Sequence, residues 1–456
     1  MAGMISLIKR LFSRGDGKPS ADGNAYIYSR EQHKISRDDI SESALKVLYR
    51  LKNAGYEGFL VGGGVRDLLL GREPKDFDVS TDATPEEVRS LFRNSRIIGR
   101  RFKIVHVRYG RDIIEVATFR GHHGQHEDGG RTSDEGMILR DNVYGSLEED
   151  AWRRDFTVNA LYYNIKDYSV VDYTGGMADL KAGQLKLIGD PEERFREDPV
   201  RMLRAVRFAA KLGFLIDPKV EDAIYEWGHL LQEIPAARLF EEVLKLFLSG
   251  HAVASFEGMR HYRLFEHLFP SVEECLAHEE QGFPLTFITH AMENTDTRLA
   301  DNRPVNPAFL LAALLWEPLR HESEEAIAAG MPAYQAVHAA ADAVLREQTL
   351  RVSIPRRFSV VMREIWVLQA RFDRRAGKRA FVLLEHERFR AAYDFLLLRS
   401  ENGESDPQLA AWWTRFQQVN EVQQRAMVDG LDNEDKPGGE TKRRRRRSRS
   451  RSRPES

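Results

Sequence analysis

The stretch GYEGFLVGGGVRDLLLGREPKDFDVST, residues 55–81, carries the reading from which the fold and the chemistry of this chain follow. Its apolar run at 58–61 has strand composition and ends in Gly62, Gly63 and Gly64, residues that admit backbone conformations others resist and allow close approach to another group. Residues 65–70 place Arg66 and Asp67 on an otherwise apolar turn of helix, stopped by Gly71. A second strand is expected to begin near Phe77, with Asp76 and Asp78 on either side of it.

In a strand, residues two apart project from one face, so the two carboxylates aim at one spot from backbones about 7 Å apart. Like charges held together are costly unless a cation sits between them. Mg²⁺ binds through one or two carboxylates together with substrate phosphates. The simplest reading is therefore Asp76 and Asp78 holding a divalent cation, Mg²⁺ or Mn²⁺, against the phosphates of a nucleoside triphosphate. A bare D-x-D is more often a solvated strand end; the glycine turn and the Arg-Asp helix beside it reverse that preference. No G-x-x-x-x-G-K-[ST] occurs here, and no G-x-G-x-x-G opens a long helix, so P-loop and dinucleotide folds are excluded.

GGGVRD followed by DFDVST resembles the head-domain signature of the class II nucleotidyltransferases, the tRNA CCA-adding enzymes and bacterial poly(A) polymerases. The resemblance spans roughly residues 40–399. It implies an α+β fold: a nucleotidyltransferase head with a small mixed sheet and helices, then an all-helical neck and body, and here a disordered basic tail. The expected boundaries are a disordered N-terminus at 1–35, the head at 36–180, the neck at 181–250, the RNA-binding body at 251–430 and the tail at 431–456.

Three further segments bear on the site. Residues 97–120, IIGRRFKIVHVRYGRDIIEVATFR, read as two strands joined by a hairpin at 109–112. Glu115 lies among apolar residues of the second strand; it is either a further carboxylate beside Asp76 and Asp78 or an exposed alternate on a half-buried strand. Arg100 and Arg101 form a compact cationic pair, and IIGRRFKIVHV resembles the stretch that sets bacterial poly(A) polymerases apart from CCA-adding relatives, which makes the pair an expected RNA contact.

In SLEEDAWRRDFTVNAL, residues 146–161, Ser146 and Glu149 form a capping box, so a helix starts there. The spacing puts Asp155 and Asn159 on one helical face near Arg154. The resemblance lays this motif, with Arg154 and Asn159, against the nucleotide, where Gly62, Gly63 and Arg66 are also expected, and makes Asp155 a third candidate acid; whether Glu115 or Asp155 completes the metal site stays open. In RFREDPVRMLRAVRFAAKLGF, residues 194–214, Asp198 and Pro199 are expected to open a helix whose Arg201, Arg204, Arg207 and Lys211 form one cationic arc. The resemblance assigns Asp198 and Arg201 to reading the base, with Arg204 in support. The motif at 237–242 is expected to brace this unit through an Arg–Glu contact.

The loop at 121–136 carries His122, His123 and His126 without a periodic framework and reads as a mobile loop rather than a metal site. Beyond residue 214 the chain reads as successive amphipathic helices, and Arg356, Arg357, Arg371, Arg374, Arg375, Lys378 and Arg379 form a candidate RNA path.

Composition hides an asymmetry. The formal charge is −2, yet residues 442–456 hold nine cations, Arg443, Arg444, Arg445, Arg446 and Arg447 among them, against Glu455 alone. The remainder is thus acidic, at −10. Such a tail cannot form a core and binds phosphate backbones without reading sequence. One cysteine, Cys275, excludes an internal disulfide and a cysteine metal cluster and fits a cytoplasmic protein. No apolar run approaches the roughly 18 residues of a membrane span, and the basic start MISLIKRLFSR has no signal-peptide core. The expected partners are RNA 3′ ends of mRNA, small RNA and tRNA precursors, ATP, and RNA-decay machinery, with the chain acting as a monomer. The expected activity is untemplated addition of AMP to RNA; CCA addition to tRNA and a non-catalytic RNA-binding protein on the same fold are the alternatives.

Overall fold

The computed structural model describes residues 24–99, 103–121, 143–277 and 285–434, with the strand pieces 18–19, 130–132 and 138–141. The expected RNA contacts at Arg100, Arg101 and Arg443–Arg447, the loop histidines, and most of the two ends expected to be disordered (1–17 of 1–35 and 435–456 of 431–456) lie outside those residues. Among the described residues, no helix is long and apolar enough to cross a membrane.

The head is a nine-stranded mixed sheet. In chain order its strands are β1 (Lys18–Pro19), β2 (Tyr26–Tyr28), β3 (Gly58–Val61), β4 (Asp78–Thr81), β5 (Ser95–Ile98), β6 (Ile104–Tyr109) and β7 (Asp112–Thr118). A separate hairpin, β8 (Gly130–Thr132) and β9 (Ile138–Asp141), precedes β10 (Leu161–Asn164) and β11 (Val170–Asp172). Spatially the order is β1-β2-β11-β10-β3-β4-β7-β6-β5. Every pairing is antiparallel except β4 with β7, which run parallel. The N-terminal expectation needs correcting here. Tyr26–Tyr28 pairs with β11, and Ala25 and Tyr28 are buried, so apolar side chains too few to show periodicity are ordered by a sheet edge.

Ile40, Ala44, Val47, Leu48 and Leu51 recur at helical spacing, so residues 36–53 read as one helix, but the structure splits it. Ser36 caps only a 3₁₀ turn, Arg37–Asp39, and Ser41 caps the true helix Glu42–Asn53, accepting from the Ala44 N–H. That helix buries Ala44, Val47, Leu48 and Leu51 against the sheet. Burying each of the larger side chains contributes about 1.5–3 kcal/mol.

The chain divides by contact into two compact units. The first holds the head and neck together with the helices through residue 277, plus 292–307 and 346–354. The first unit continues past residue 250: Phe256 and Met259 of helix Ala252–His261 are fully buried, and a Cβ on its Gly258 would press into Val206. The second unit, 308–345 and residues from 355 onward with 285–291, is helical. Its core includes Phe372, Phe389, Leu396, Trp413 and Phe416. Its deepest tryptophans are satisfied, Trp366 Nε1 donating to the Ala312 carbonyl at 3.1 Å and Trp413 Nε1 to that of Phe372 at 3.0 Å.

Candidate active site

Strand register assembles the acids. Asp78 opens β4 and lies directly opposite Glu115 on β7, while Val61 and then Tyr162 continue the same row across β3 and β10. Residues paired in this way share a face. Asp76 sits just ahead of the strand, exposed. Burial pushes the Asp78 carboxyl up to about 6, the charges of Glu115 and Asp76 push the same way, and Arg154 opposes them. Glu115 is itself about half exposed, with a hydrogen bond from His106 Nε2 at 3.2 Å. Both expectations for Glu115 thus hold at once, exposure and company with Asp78.

Gly62 brings the backbone to the acid. It is the N-cap of the helix Gly63–Leu69 at φ 75°, ψ −141°, a conformation that an L side chain resists. A Cβ there would meet Asp78 Oδ2 at 3.6 Å and Arg154 Nη1 at 3.7 Å. At Gly63 it would meet Arg66 Nη2 at 3.4 Å, and at Gly64 the Asp76 carbonyl at 3.3 Å. Three side chains, Asp78, Arg154 and Arg66, and one backbone oxygen thus line the glycine run, and only at Gly64 would a Cβ be tight; at Gly62 it is the positive φ that favours glycine.

Arg154 is aimed by three groups. Its Nε donates to Tyr162 Oη at 2.9 Å and Asp150 Oδ2 at 3.2 Å, and its Nη2 to Ser80 Oγ at 3.0 Å. Tyr162 in turn donates to Asp150 at 2.7 Å. Burial works against the guanidinium's charge, but Tyr162 and Asp150 outweigh it and raise the pKa. Asp150, Tyr162 and Ser80 were missed in the sequence; only the i,i+4 spacing of Asp150 to Arg154 signals the pair.

The helix from Ser146 is shorter than its pattern implies. It ends at Arg153, with Arg154 extended at ψ 168°, so Asp155 and Asn159 do not share a helical face. They meet nonetheless: Asn159 Nδ2 donates to Asp155 Oδ1 at 3.3 Å, because a 3₁₀ turn, Thr157–Asn159, folds the chain back. Asp155 also accepts from the Phe156 N–H at 2.8 Å and from Arg204 Nε at 2.7 Å. Burial would raise this carboxyl; Arg204 foremost, then Phe156 and Asn159, hold it down at about 2. Both Asp155 oxygens are thus occupied by protein donors.

Arg66, expected at the nucleotide, is 2% exposed. Its Nη1 donates to Asn159 Oδ1 at 2.7 Å, and its Nε and Nη2 to Asp67 Oδ1 at 2.9 and 2.7 Å. Lys211 Nζ reaches Asp67 Oδ2 at 3.3 Å. A continuous polar chain therefore runs Lys211–Asp67–Arg66–Asn159–Asp155–Arg204, and both its ends lie on one neck helix, Val200–Leu212.

That helix does not start at Asp198, which instead caps the C-terminus of the preceding helix Pro191–Glu197. Asp198 accepts from Arg238 Nη2 at 2.7 Å, so the brace at 237–242 is made to Asp198 rather than to a glutamate. Arg201 donates to Glu197 Oε2 at 2.7 Å and to the Arg194 carbonyl at 2.6 Å. The cationic arc is not a solvated face. Arg66, Arg204 and Arg207 lie over the Phe208 ring at 5.3, 5.2 and 4.5 Å. Arg207 falls to about 10, through burial first and then the charge of Arg204, with Glu242 only partly offsetting them. Arg194 falls to about 10 likewise, through burial and Arg201.

The donor set fits a hard divalent cation. Asp76, Asp78 and Glu115 offer oxygen alone, and crowding among them is what a cation relieves. Among the described residues no three His, Cys, Asp or Glu side chains are grouped so as to hold an ion by themselves.

A mixed sheet carrying a carboxylate pair behind a glycine turn, with Arg154 and Arg66 against those glycines, is the arrangement of a nucleotidyltransferase. Solved structures agree on the fold. One is a tRNA-processing enzyme in its apo form, with TM-score 0.58, 23% identity and coverage of 88% of this chain and 99% of that one. Another is the Bacillus stearothermophilus CCA-adding enzyme in complex with CTP, with TM-score 0.54, 25% identity and coverage of 88% and 89%. Sequence comparison narrows the class. The poly A polymerase head domain matches residues 58–186, the probable RNA and SrmB-binding site of polymerase A residues 213–276, and the polymerase A arginine-rich C-terminus residues 329–451. Poly(A) polymerase I of Salmonella typhimurium is 52% identical over 417 residues, 90% of each chain. That of Escherichia coli O157:H7 is 52% identical over 424 residues, 91% of each. The CCA-adding enzyme of Lactobacillus helveticus is 41% identical over 219 residues, only 48% of this chain and 53% of its own. This chain belongs to the poly(A) polymerase family.

Proposed function

We propose that the chain adds AMP from ATP to RNA 3′ ends without a template. The observation that carries this reading is the pairing of Asp78 with Glu115 across β4 and β7 beside Gly62 and Arg154, where burial and the neighbouring carboxylates push the Asp78 carboxyl up to about 6. The RNA 3′-oxygen attacks the α-phosphorus, the bond to the bridging oxygen of the β-phosphate breaks, and pyrophosphate leaves. Asp76 and Asp78 would hold the divalent ion, magnesium or manganese, with Glu115 as the third carboxylate. When bound, that ion lowers the pKa of the attacking hydroxyl and neutralises charge on the leaving group.

The chain's own residues do the rest. Arg154, fixed by Asp150, Tyr162 and Ser80, presents Nη1 beside Gly62 and binds a phosphate oxygen there. Asp155, each of whose oxygens accepts from protein donors, works as a positioning acid that ties the neck helix to the head. Asp198 and Arg201, held by Arg238 and Glu197, present the base-selecting edge. Arg194 and Arg207 are destabilised cations, and an arriving polyanion relieves both. In the second unit Arg356, Arg357, Arg371, Arg374, Lys378 and Arg379 make no ion pair among the described residues, as an RNA path requires. The arginine tail adds sequence-independent hold on RNA, and Arg100 and Arg101 add RNA contacts, as the resemblance implies. We read the protein as a cytoplasmic monomer that feeds RNA to decay machinery.

Offering each nucleotide singly to an unstructured RNA and to a tRNA lacking its end tests the reading. Long tails from ATP on both RNAs are expected. Cytidine addition confined to the tRNA end would overturn it in favour of CCA addition.

A further inference from the structure

The face of the head sheet turned away from Asp78 holds a second cavity. Tyr162 and Tyr163 are successive in β10 and so project to opposite faces. Tyr162 joins Arg154 and Asp150, which puts Tyr163 on the far side. There a cavity of 280 Å³ is lined by Arg30, Ser36, Arg37, Asp38, Tyr163 and Tyr168.

Three properties mark it as a ligand site. Arg30 and Arg37 are both exposed, and neither makes an ion pair among the described residues, so two guanidiniums face one carboxylate, Asp38. The Tyr163 side chain is fully buried, yet its hydroxyl has no hydrogen-bond partner, which is a standing demand for an acceptor. Tyr168 is held in the left-handed region at φ 61°. Its N–H donates to the Asn164 carbonyl at 2.8 Å, and its own carbonyl meets His33 Nε2 at 2.9 Å, while Arg37 lies 5.8 Å from its ring centroid. Strain of this kind persists only where surroundings enforce it.

Paired guanidiniums favour a phosphate over a single point anion. An aromatic ring beside them favours a base, since every base offers a π-face. The volume suits one nucleotide and not a duplex. We propose that this cavity binds one phosphate-bearing nucleotide, its phosphate held by Arg30 and Arg37 and its base against Tyr168, on the sheet face opposite the catalytic acids. The nucleotide is either an upstream unit of the RNA being extended or a free mononucleotide. The site stands independently of the transfer reaction.

The test uses the full chain carrying Arg30→Glu with Arg37→Glu, and separately Tyr163→Phe, with no divalent ion present. Calorimetric titration with 5′-AMP and fluorescence anisotropy of a short labelled oligoadenylate are the two probes. The double variant should lose about tenfold in affinity for at least one probe, as expected when charge-assisted contacts to one phosphate are lost. Loss for oligoadenylate alone identifies the RNA strand as the source, and loss for AMP alone the free nucleotide; either supports the site. Tyr163→Phe should weaken the same probe a few fold while thermal stability is kept. AMP incorporation at saturating RNA should be unchanged in both. The proposal is overturned if neither probe loses affinity, or if reversing two exposed head arginines elsewhere, Arg89→Glu with Arg96→Glu, costs as much.

Discussion

Arg204 Nε donates to Asp155 Oδ2 at 2.7 Å, across 49 positions of sequence, and so joins the neck helix to the head beside the nucleotide site. Removing one partner of a buried pair leaves an uncompensated charge and costs about 3–5 kcal/mol; a third of the Arg204 side chain is exposed, so the lower end applies. Asp155 lies at about 2 in the folded chain, below the ~3.9 of an unfolded aspartate. Its contribution is therefore present in full above about pH 4 and fades as pH falls toward 2. Urea denaturation of Arg204→Ala against the parent should show a gap of about 3 kcal/mol at pH 7 that narrows below pH 4. An undiminished gap in acid would separate the stability from this carboxylate.

Gly62→Ala should separate folding from chemistry. The residue's φ of 75° makes a side chain strained by about 1–3 kcal/mol. The new methyl also faces Asp78 and Arg154. We expect a cooperative melt at lower temperature and AMP transfer down about 100-fold, checked by calorimetry and by single-turnover incorporation.

Arg154→Lys keeps the charge and loses the fork. A lysine ammonium cannot reach Tyr162, Asp150 and Ser80 while also facing the phosphate position. The expectation is a fall in kcat/KM for ATP of about 10²–10³, with RNA affinity by anisotropy unchanged.

The head was readable where chemistry forces rare residues together: a glycine triplet, two acids one residue apart, and an Arg-Arg-Asp run. Glu115 was readable only as one of two possibilities, because strand register across β4 and β7 depends on a parallel pairing 37 residues apart that no local pattern encodes. Helix 146–153 looked longer since Asp155 and Asn159 fall at i,i+4, a spacing that a 3₁₀ turn reproduces. The support of Arg154 by Tyr162 and Ser80 is tertiary and left no trace. The strand at 26–28 is too short for periodicity to show. Arg201, Arg204 and Arg207 read as one cationic arc, with base selection implied for Arg201 and Arg204 by the resemblance; that Arg201 pairs with Glu197, Arg204 with Asp155 of the head, and Arg204 and Arg207 lie over Phe208 required the fold.

In the second unit, changing Arg371, Arg374, Lys378 and Arg379 together to alanine should weaken RNA binding and lower the slope of log affinity against log salt by about 2–3, at about 0.7 per phosphate contact. Transfer at saturating RNA should stay within twofold. An unchanged salt slope would place the RNA path elsewhere.

The most direct measurement is AMP incorporation from labelled ATP by Asp76→Ala and Asp78→Ala proteins, read beside their RNA affinity. A fall of about 10³-fold or more, with RNA binding within twofold of the parent, is the predicted result. Incorporation within tenfold of the parent by either protein would contradict the assignment of the reaction to this pair of acids.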